Sequence, residues 1–221
     1  MKQKIKLLKS LDEFTKIFGD DAEVERALAL LRDRVNQLSD VEETAQSSSV
    51  DTSTMVLPSE IRLPHQVALF CDGACRGNPG PGAWAGIGQG FTGEIWFESS
   101  GFETRTTNNR MEMLGSIESL QSLKNVLDEK FLLASQTEVF IYTDSKYVVE
   151  GATKWIKGWQ AKGWKKADGK EVANIDLWQS LVVQLEGFKK VSFQWIKGHA
   201  GHPQNERCDQ MANQALNDAG L

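Results

Sequence analysis

The chain of 221 residues is poor in cysteine and has no long run of apolar residues. Its three cysteines, Cys71, Cys75 and Cys208, form an odd number without a C-x-x-C pair, which argues against a disulfide framework and a zinc site. No apolar run approaches the roughly 20 residues that cross a bilayer. No signal-peptide core follows the basic N-terminus. We therefore expect a cytoplasmic protein that does not enter a membrane.

The first 65 residues lack both Trp and Tyr, and their charge is slightly negative. They contain nine Lys and Arg against twelve Asp and Glu. This composition argues against a basic nucleic-acid-binding arm in this part of the chain. The whole chain has a net charge of −5, so any basic surface for nucleic acid must be local.

Two amphipathic helices are predicted within residues 1–38. Apolar residues recur at spacings of three and four from Leu7 to Phe18, and again from Val24 to Leu38 after a break at Gly19-Asp20-Asp21. Asp21 is a suitable N-cap for the second helix. A small helical hairpin of this kind buries little by itself. Either it packs on the rest of the chain, or it self-associates or docks a protein partner, and the sequence leaves both interpretations open.

Residues 39–62 have few apolar side chains and contain a run of serines. Low hydrophobicity with Ser, Thr and Asp is typical of a flexible linker. The remaining residues, 63–221, form one predicted domain with no internal repeat.

Alternating strand and helix patterns predict an α/β domain. The predicted strands cover residues 67–71, 83–88, 94–98, 138–142 and 191–196. The predicted helices cover residues 108–127, 146–150, 153–160, 177–185 and 205–217. This order of elements predicts a mixed sheet with helices on both faces.

Four acidic residues stand at predicted strand ends or helix starts. Asp72 ends the apolar run Val67–Cys71, Asp144 ends a second apolar strand, and Glu112 and Asp209 lie early in predicted helices. Each alone is explained as a turn residue, a helix-dipole partner or a solvated side chain. Together they predict a cluster of like charge that cations must neutralise. Oxygen ligands favour Mg²⁺ or Mn²⁺ in such a site.

Six short motifs surround these acids and follow one another along the chain. They are Cys71-Asp72-Gly73-Ala74-Cys75, Gly77-Asn78-Pro79-Gly80-Pro81-Gly82, Thr106-Thr107-Asn108-Asn109-Arg110-Met111-Glu112, Thr143-Asp144-Ser145, Lys197-Gly198-His199-Ala200-Gly201-His202 and Asn205-Glu206-Arg207-Cys208-Asp209. This set closely resembles ribonuclease H of type 1, the bacterial-type enzyme, over residues from about 66 to 217. The resemblance implies an RNase H-like fold, with a five-stranded mixed sheet flanked by helices on both faces, to which the N-terminal helical hairpin is added.

The resemblance also implies an endonuclease that hydrolyses the RNA strand of RNA–DNA hybrids. The four acids would be its catalytic ligands for two Mg²⁺ ions, with Mn²⁺ as a substitute, and the products would carry 5′-phosphate and 3′-hydroxyl ends. His199 matches a mobile histidine that assists proton transfer or product release, although a loop histidine without a function is the alternative. Glu206 matches an acid that assists product departure.

The implied contacts with the hybrid are divided between its strands. Cys75, Asn78 and Asn109 match contacts to the RNA strand, whose 2′-hydroxyl distinguishes it from DNA. Lys146 stands where close bacterial relatives often have Gln, which puts a hydrogen-bonding role there in doubt. The complete set of implied substrate-binding residues is Cys75, Asn78, Arg105, Thr107, Asn108, Asn109, Lys146, Trp155, Trp159 and Asn174, of which Arg105, Thr107 and Asn174 match a pocket for a phosphate of the DNA strand.

Residues 153–170 form a basic segment that we call the handle. Its six lysines are interleaved with Trp155, Trp159 and Trp164, and Asp168 is its single acidic residue. Lysines supply affinity for phosphates that falls with salt. Trp155 and Trp159 are four residues apart, so they fit either a core stripe of a helix or, by the resemblance, a channel for the DNA strand.

Two rival functions use the same fold. A non-catalytic module that binds hybrids would be expected to have lost one of the four acids, and none is lost here. A junction resolvase or transposase-type DNA nuclease is disfavoured by the handle and by the pair Asn78 and Asn109. Many eukaryotic relatives carry an N-terminal hybrid-binding domain, but that domain is basic and rich in aromatic residues, unlike the first 65 residues here.

Overall fold

The computed structural model describes residues 11, 12, 15, 22–37, 55–198 and 200–221. The chain divides into two compact units, Met1–Val50 and Asp51–Leu221. Within the described residues, no helix is both long enough and apolar enough to span a membrane.

In the first unit, helix α1 covers Ala22–Gln37, where the sequence predicts the second helix of the hairpin. Leu28 of this helix is buried together with Leu11, and Val24 packs beside them. Leu31, which the apolar periodicity includes, is instead 52% exposed. Most of the first predicted helix lies outside the described residues. A role of this unit in self-association or partner docking stays a prediction.

The second unit is an α/β domain with the elements that the sequence predicts. Its strands are β1 (Gln66–Cys75), β2 (Gly80–Gln89), β3 (Ile95–Thr106), β4 (Glu138–Thr143) and β5 (Lys190–Trp195). Its helices are α2 (Asn108–Glu129), α3 (Lys146–Glu150), α4 (Ile156–Ala161), α5 (Ile175–Leu185) and α6 (Pro203–Asp218). A 3₁₀ turn covers Ala134–Gln136, and a π-helical turn, Gly151–Trp155, joins α3 to α4.

The five strands form one mixed sheet in the order β3-β2-β1-β4-β5. Strand β1 pairs antiparallel with β2 and parallel with β4, and β4 pairs parallel with β5. Successive side chains of a strand point to opposite faces of its sheet. Accordingly, Val67, Leu69 and Cys71 of β1 join a core with α2 and α5, whereas Ala68 and Phe70 join a second core with α6. The predicted mixed sheet with helices on both faces is confirmed.

Strand β1 is longer than its apolar run. It continues through Asp72 to Cys75, and β2 begins at Gly80, so Cys75 pairs with Gly82 inside an antiparallel ladder. The prediction that Asp72 ends the strand is therefore wrong. The glycine-rich residues after Asp72 extend the antiparallel pair of β1 and β2, because backbone pairing does not require large side chains.

Residues 55–62, which we call the strap, pack on the second unit although the sequence predicts a linker up to residue 62. Ile61 is 4% exposed and Met55 is 9% exposed. The Tyr142 hydroxyl donates to Glu60 Oε2 at 3.3 Å. The folded domain thus begins earlier than residue 63. Residues 39–54, the rest of the predicted linker, lie outside the part of the chain that the structure describes.

Candidate metal centre

Three carboxylates from three different elements meet at one edge of the sheet. Asp72 lies in β1, Glu112 lies in the first turns of α2, and Asp144 directly follows β4. The parallel register of β1 and β4 pairs Phe70 with Tyr142, so Asp72 and Asp144 are aligned across the two strands. One oxygen of each carboxylate lies within 4.8 Å of the others. The three acids form a group that could hold a metal ion.

A glycine permits the close approach of α2 to β1. A Cβ atom on Gly73 would lie 2.4 Å from the backbone nitrogen of Glu112 and 2.6 Å from the carbonyl carbon of Met111. Backbone atoms cannot yield to such a contact, so a larger residue would push α2 away. Gly73 therefore brings Glu112 next to Asp72.

Asp72 is buried and has few groups that stabilise its negative charge. Its Oδ1 accepts a hydrogen bond from the Gly73 amide at 2.8 Å, and its Oδ2 faces Asn205 Nδ2 at 3.5 Å. Burial, followed by repulsion from Asp144, raises the pKa of Asp72 to about 7, and Asp209 adds a smaller contribution of the same sign. Burial and neighbouring carboxylates of like charge both favour the neutral form of a carboxyl group.

Glu112 is only 7% exposed. Its Oε1 accepts a hydrogen bond from Asn108 Nδ2 at 3.1 Å, whereas its buried Oε2 has no hydrogen-bond partner among the described residues. Burial, and then repulsion from Asp72 and Asp144, raises the pKa of Glu112 well above its usual value. A buried carboxylate oxygen without a donor, in an all-oxygen cluster, fits a hard divalent cation.

Asp209 lies beside this group but not within it. It is partly buried in α6, and its Oδ1 accepts a hydrogen bond from Asn213 Nδ2 on the same helix at 3.0 Å. Its charge acts on Asp72, which places it close to the three clustered acids. The structure thus brings three of the four predicted ligands together and leaves the fourth adjacent.

The free cysteines do not contribute ligands to this centre. Cys71 and Cys208 are fully buried, and Cys75 is partly exposed, with no disulfide among them. Burial raises the pKa of the Cys71 thiol to about 12 and that of Cys208 well above its usual value. Both buried thiols are therefore protonated and unreactive at neutral pH.

The loop between β1 and β2 is tied to the start of α2. Asn78 Oδ1 accepts a hydrogen bond from the Asn108 amide at 3.3 Å, and Cys75 Sγ donates to the Gly77 carbonyl oxygen at 2.7 Å. Thr107 is the N-cap residue of α2, although its side chain makes no capping hydrogen bond. The exposed side chains of Asn109 and Arg105 flank the same helix start.

The aromatic residues of the handle pack in a chain onto the core. The ring centroids of Trp155 and Trp159 are 5.5 Å apart, and those of Trp159 and the fully buried Trp178 are 5.6 Å apart. Asn174, at the start of α5, donates to the Tyr147 hydroxyl at 3.2 Å. Trp155, Trp159 and Tyr147 also line a cavity of about 380 Å³ that opens next to Lys166. Both interpretations of the tryptophan pair, core and surface, are thus compatible with the packing.

The remaining predicted residues lie around the acidic group. Lys146 Nζ is 5.0 Å from the ring centroid of Trp195, and Trp195 Nε1 donates to the Asp144 carbonyl oxygen at 3.0 Å. Glu206 is exposed in the first turn of α6. His199 lies outside the described residues. Lys146 therefore contacts an aromatic ring that is itself bonded to the backbone of a clustered acid.

Two residues near the centre have no predicted role. Asn205 is 3% exposed, faces Asp72, and has a buried Oδ1 without a partner among the described residues. Its spacing of four from Asp209 places both on one side of α6, which is the only sequence signal for it. Trp195 ends β5, and nothing in its sequence context indicates a contact with Asp144.

The model of the RNase H family matches residues 64–217 of this chain. The chain belongs to the RNase H family. The ribonuclease H of Agrobacterium fabrum is 51% identical over 150 residues, which cover 68% of this chain and 94% of the relative. RNase H enzymes are hydrolases, and the prediction that this chain is one of them is confirmed.

Solved structures of the family share the fold. LC9-RNase H1, described as a type 1 RNase H with the type 2 active-site motif, matches with a TM-score of 0.60 and 32% identity, over 71% of this chain and 74% of the other. LC11-RNase H1 in complex with an RNA/DNA hybrid matches with a TM-score of 0.54 and 26% identity, over 70% of this chain and 99% of the other. The predicted RNase H-like fold is confirmed. The strap lies before the region that the family model matches.

Proposed function

We propose that this chain is an endonuclease that hydrolyses the RNA strand of RNA–DNA hybrids in a reaction that requires divalent metal ions. The observation that carries the proposal is the group of three carboxylates, with its unpartnered Glu112 oxygen, on an RNase H fold. The similarity to LC11-RNase H1, solved with a bound hybrid, supports the choice of substrate. Two Mg²⁺ ions, with Mn²⁺ as a substitute, are the proposed cofactors.

Asp72, Glu112, Asp144 and Asp209 would hold the ions from four separate elements of the fold. When bound, paired divalent ions activate a water and neutralise charge on the attacking and leaving oxygens of a phosphodiester. Asn108 orients the Glu112 carboxylate, and Trp195 fixes the backbone of Asp144. The proposed products carry 5′-phosphate and 3′-hydroxyl ends. His199 would move a proton there, since an imidazole can both accept and donate one.

Strand discrimination is proposed to arise on both sides of the acidic group. The end of β1 at Cys75 and the following loop at Asn78 would meet the RNA strand, where backbone and small side chains come close to 2′-hydroxyls. Arg105, Thr107 and Asn174 would hold a phosphate of the DNA strand. Glu206, exposed on α6, would assist the departure of product.

The proposal predicts that the protein cleaves only the RNA strand, and only in RNA–DNA hybrids. With Mg²⁺, the protein should cut the RNA of a labelled RNA–DNA hybrid and leave duplex RNA and duplex DNA intact. Enzymatic end analysis of the fragments should find 5′-phosphates and 3′-hydroxyls. Tight binding of the hybrid without cutting, in Mg²⁺ and in Mn²⁺, would contradict the proposal and favour a non-catalytic binding module.

The exposed lysines of the handle are expected to supply salt-dependent affinity for the hybrid. Replacing Lys162 and Lys166 by Ala should reduce the slope of log affinity against log salt by about 0.9 for each phosphate that a lysine no longer neutralises. The measurement is hybrid binding by fluorescence anisotropy over a salt series in a chelator. Lys189→Ala with Lys190→Ala is the matched control, because the start of β5 lies at the opposite end of the sheet from Asp144. An equal slope for both double variants would contradict the assignment.

A further inference from the structure

The strap covers the face of the sheet on which α6 packs. Ile61 belongs to the same core as Cys208, Ala212 and Leu216 of α6, and Leu57 packs against that core. The strap lies outside residues 64–217, the region shared with the RNase H family. It therefore lies outside the part of the fold that the family model describes, and it touches the helix that carries Asp209.

Two buried glutamines connect the strap to the sheet and to α6. Gln89, at the end of β2, is fully buried, and its Nε2 donates to the Met55 carbonyl oxygen at 3.0 Å and to the Gly93 carbonyl oxygen at 2.9 Å. Gln204, which is 3% exposed, donates from Nε2 to the Val56 carbonyl oxygen at 2.8 Å and to Gln89 Oε1 at 3.0 Å. Each side-chain amide therefore uses both of its N–H donors, and each uses one of them on the strap.

Gln204 stands in the first turn of α6, directly before the residues that face the metal centre. Asn205 is the next residue, and its Nδ2 faces Asp72 Oδ2. Asp209 follows one turn later on the same helix. A helix is rigid over this distance, so a displacement of its first turn at Gln204 moves both Asn205 and Asp209 relative to Asp72.

We propose that Gln204 and Gln89 are positioning residues, through which the strap holds the first turn of α6 against the sheet and so sets the affinity of the acidic centre for metal. Without the carbonyl oxygens of Met55 and Val56, two buried amide donors lose their partners, and a buried polar group without a partner drives rearrangement. The inference rests on the proposed metal-dependent function. It adds that the strap, which lies outside the residues that the family model matches, helps to shape the metal centre.

The test uses full-length variants that keep side-chain size. Gln204→Met removes both hydrogen bonds of that amide, and Gln89→Met breaks the network independently from the strand side. Gln214→Met on α6 is the matched control, because this exposed glutamine donates to Asp218 one turn away and does not contact the strap in the described part of the chain. Leu181→Ala, in the core on the opposite face of the sheet, controls for a general loss of stability.

We expect both network variants to bind Mg²⁺ about tenfold more weakly in calorimetric titrations, as is typical when outer partners of metal ligands are mutated. The Mg²⁺ concentration for half-maximal hybrid cleavage should rise by the same factor. Amide hydrogen exchange at residues 204–209 should accelerate in the metal-free variants. Gln214→Met and Leu181→Ala should match the wild type in Mg²⁺ affinity.

The inference would be overturned if Gln204→Met and Gln89→Met bound Mg²⁺ as tightly as both controls do. The strap would then be a purely stabilising segment. The titration requires no cleavage, so it separates this inference from the proposed function. If the wild type bound Mg²⁺ without cutting the hybrid, the proposed function would fail. A weakened titration of Gln204→Met would still support the positioning role.

Discussion

Replacing Asp72 with Asn is expected to lower the rate of hybrid cleavage by about a thousandfold or more. Asp72 is the central acid of the group, since Glu112, Asp144 and Asp209 all lie close enough to interact with its charge. Removing a ligand of a catalytic metal forfeits several kcal/mol of charge stabilisation, and each 1.4 kcal/mol or so is a factor of ten in rate. Single-turnover cleavage of a labelled hybrid in saturating Mg²⁺ measures the loss.

The same substitution is expected to stabilise the metal-free protein. Burial and neighbouring acids raise the pKa of Asp72 from 3.8 to about 7, and each unit corresponds to about 1.4 kcal/mol of unfavourable ionisation. A neutral amide keeps the acceptor for the Gly73 amide and removes the repulsion. Above neutral pH, the free energy of unfolding of Asp72→Asn in a chelator should exceed that of the wild type by about 2–4 kcal/mol.

Asp128→Asn is the control for both measurements, because Asp128 is exposed near the end of α2, far along the helix from Glu112. It should change neither the rate nor the stability appreciably. A variant Asp72→Asn that cleaves at the wild-type rate would contradict the role of Asp72 as a ligand. A variant that is less stable than the wild type in chelator would show that other groups already neutralise Asp72.

The sheet and its helices could be predicted from sequence because their signals are local. The apolar run of β1 alternates between two cores, and α2 carries Met113, Ile117, Leu120 and Leu123 at helical spacing on one buried side. Side-chain periodicity is sufficient for elements of this kind. It fails where structure depends on backbone pairing, as in the segment from Asp72 to Cys75, which continues β1 because β2 lies alongside.

The strap could not be predicted because its partners are distant in sequence. Met55 and Val56 are held through backbone carbonyl oxygens by Gln89 and Gln204, and composition carries no information about such bonds. Low hydrophobicity predicts a linker correctly only where the folded domain offers no buried hydrogen-bond donor to the backbone of the segment. The burial of Gln89 and Gln204 could not be predicted either, since an isolated glutamine is usually exposed.

The acidic centre was predictable because Asp72 directly follows the apolar run of β1, Asp144 directly follows β4, and Glu112 and Asp209 lie in the first half of their helices. Parallel pairing of β1 with β4 aligns Asp72 with Asp144, and Gly73 admits Glu112. The place of Asp209 beside the group, and the contact of Asn205 with Asp72, depend on how α6 is seated on the sheet. That seating is a tertiary property, which sequence spacing within one helix does not determine.

In a chelator, the wild-type protein is expected to lose stability as pH rises from about 4 to about 7. Because the pKa of Asp72 is about 7 in the folded protein and 3.8 ordinarily, the folded state holds its proton longer than the unfolded state. The resulting stability is fully present below the ordinary pKa and is lost as pH rises through the folded value. Glu112, whose pKa is also raised, adds a loss of the same sign.

Divalent metal is expected to remove this loss. Metal ions bind the ionised carboxylates, so their affinity grows as pH rises, and binding to the folded state alone stabilises it. Urea unfolding at about pH 5 and about pH 8 should show a loss of up to about 3 kcal/mol from Asp72 in chelator and little or none in saturating Mg²⁺. Asp72→Asn should reduce the loss in chelator, whereas Asp128→Asn should not. Stability that instead rises with pH in chelator would mean that these acids are ionised and neutralised by protein groups, and that the centre does not depend on a cation.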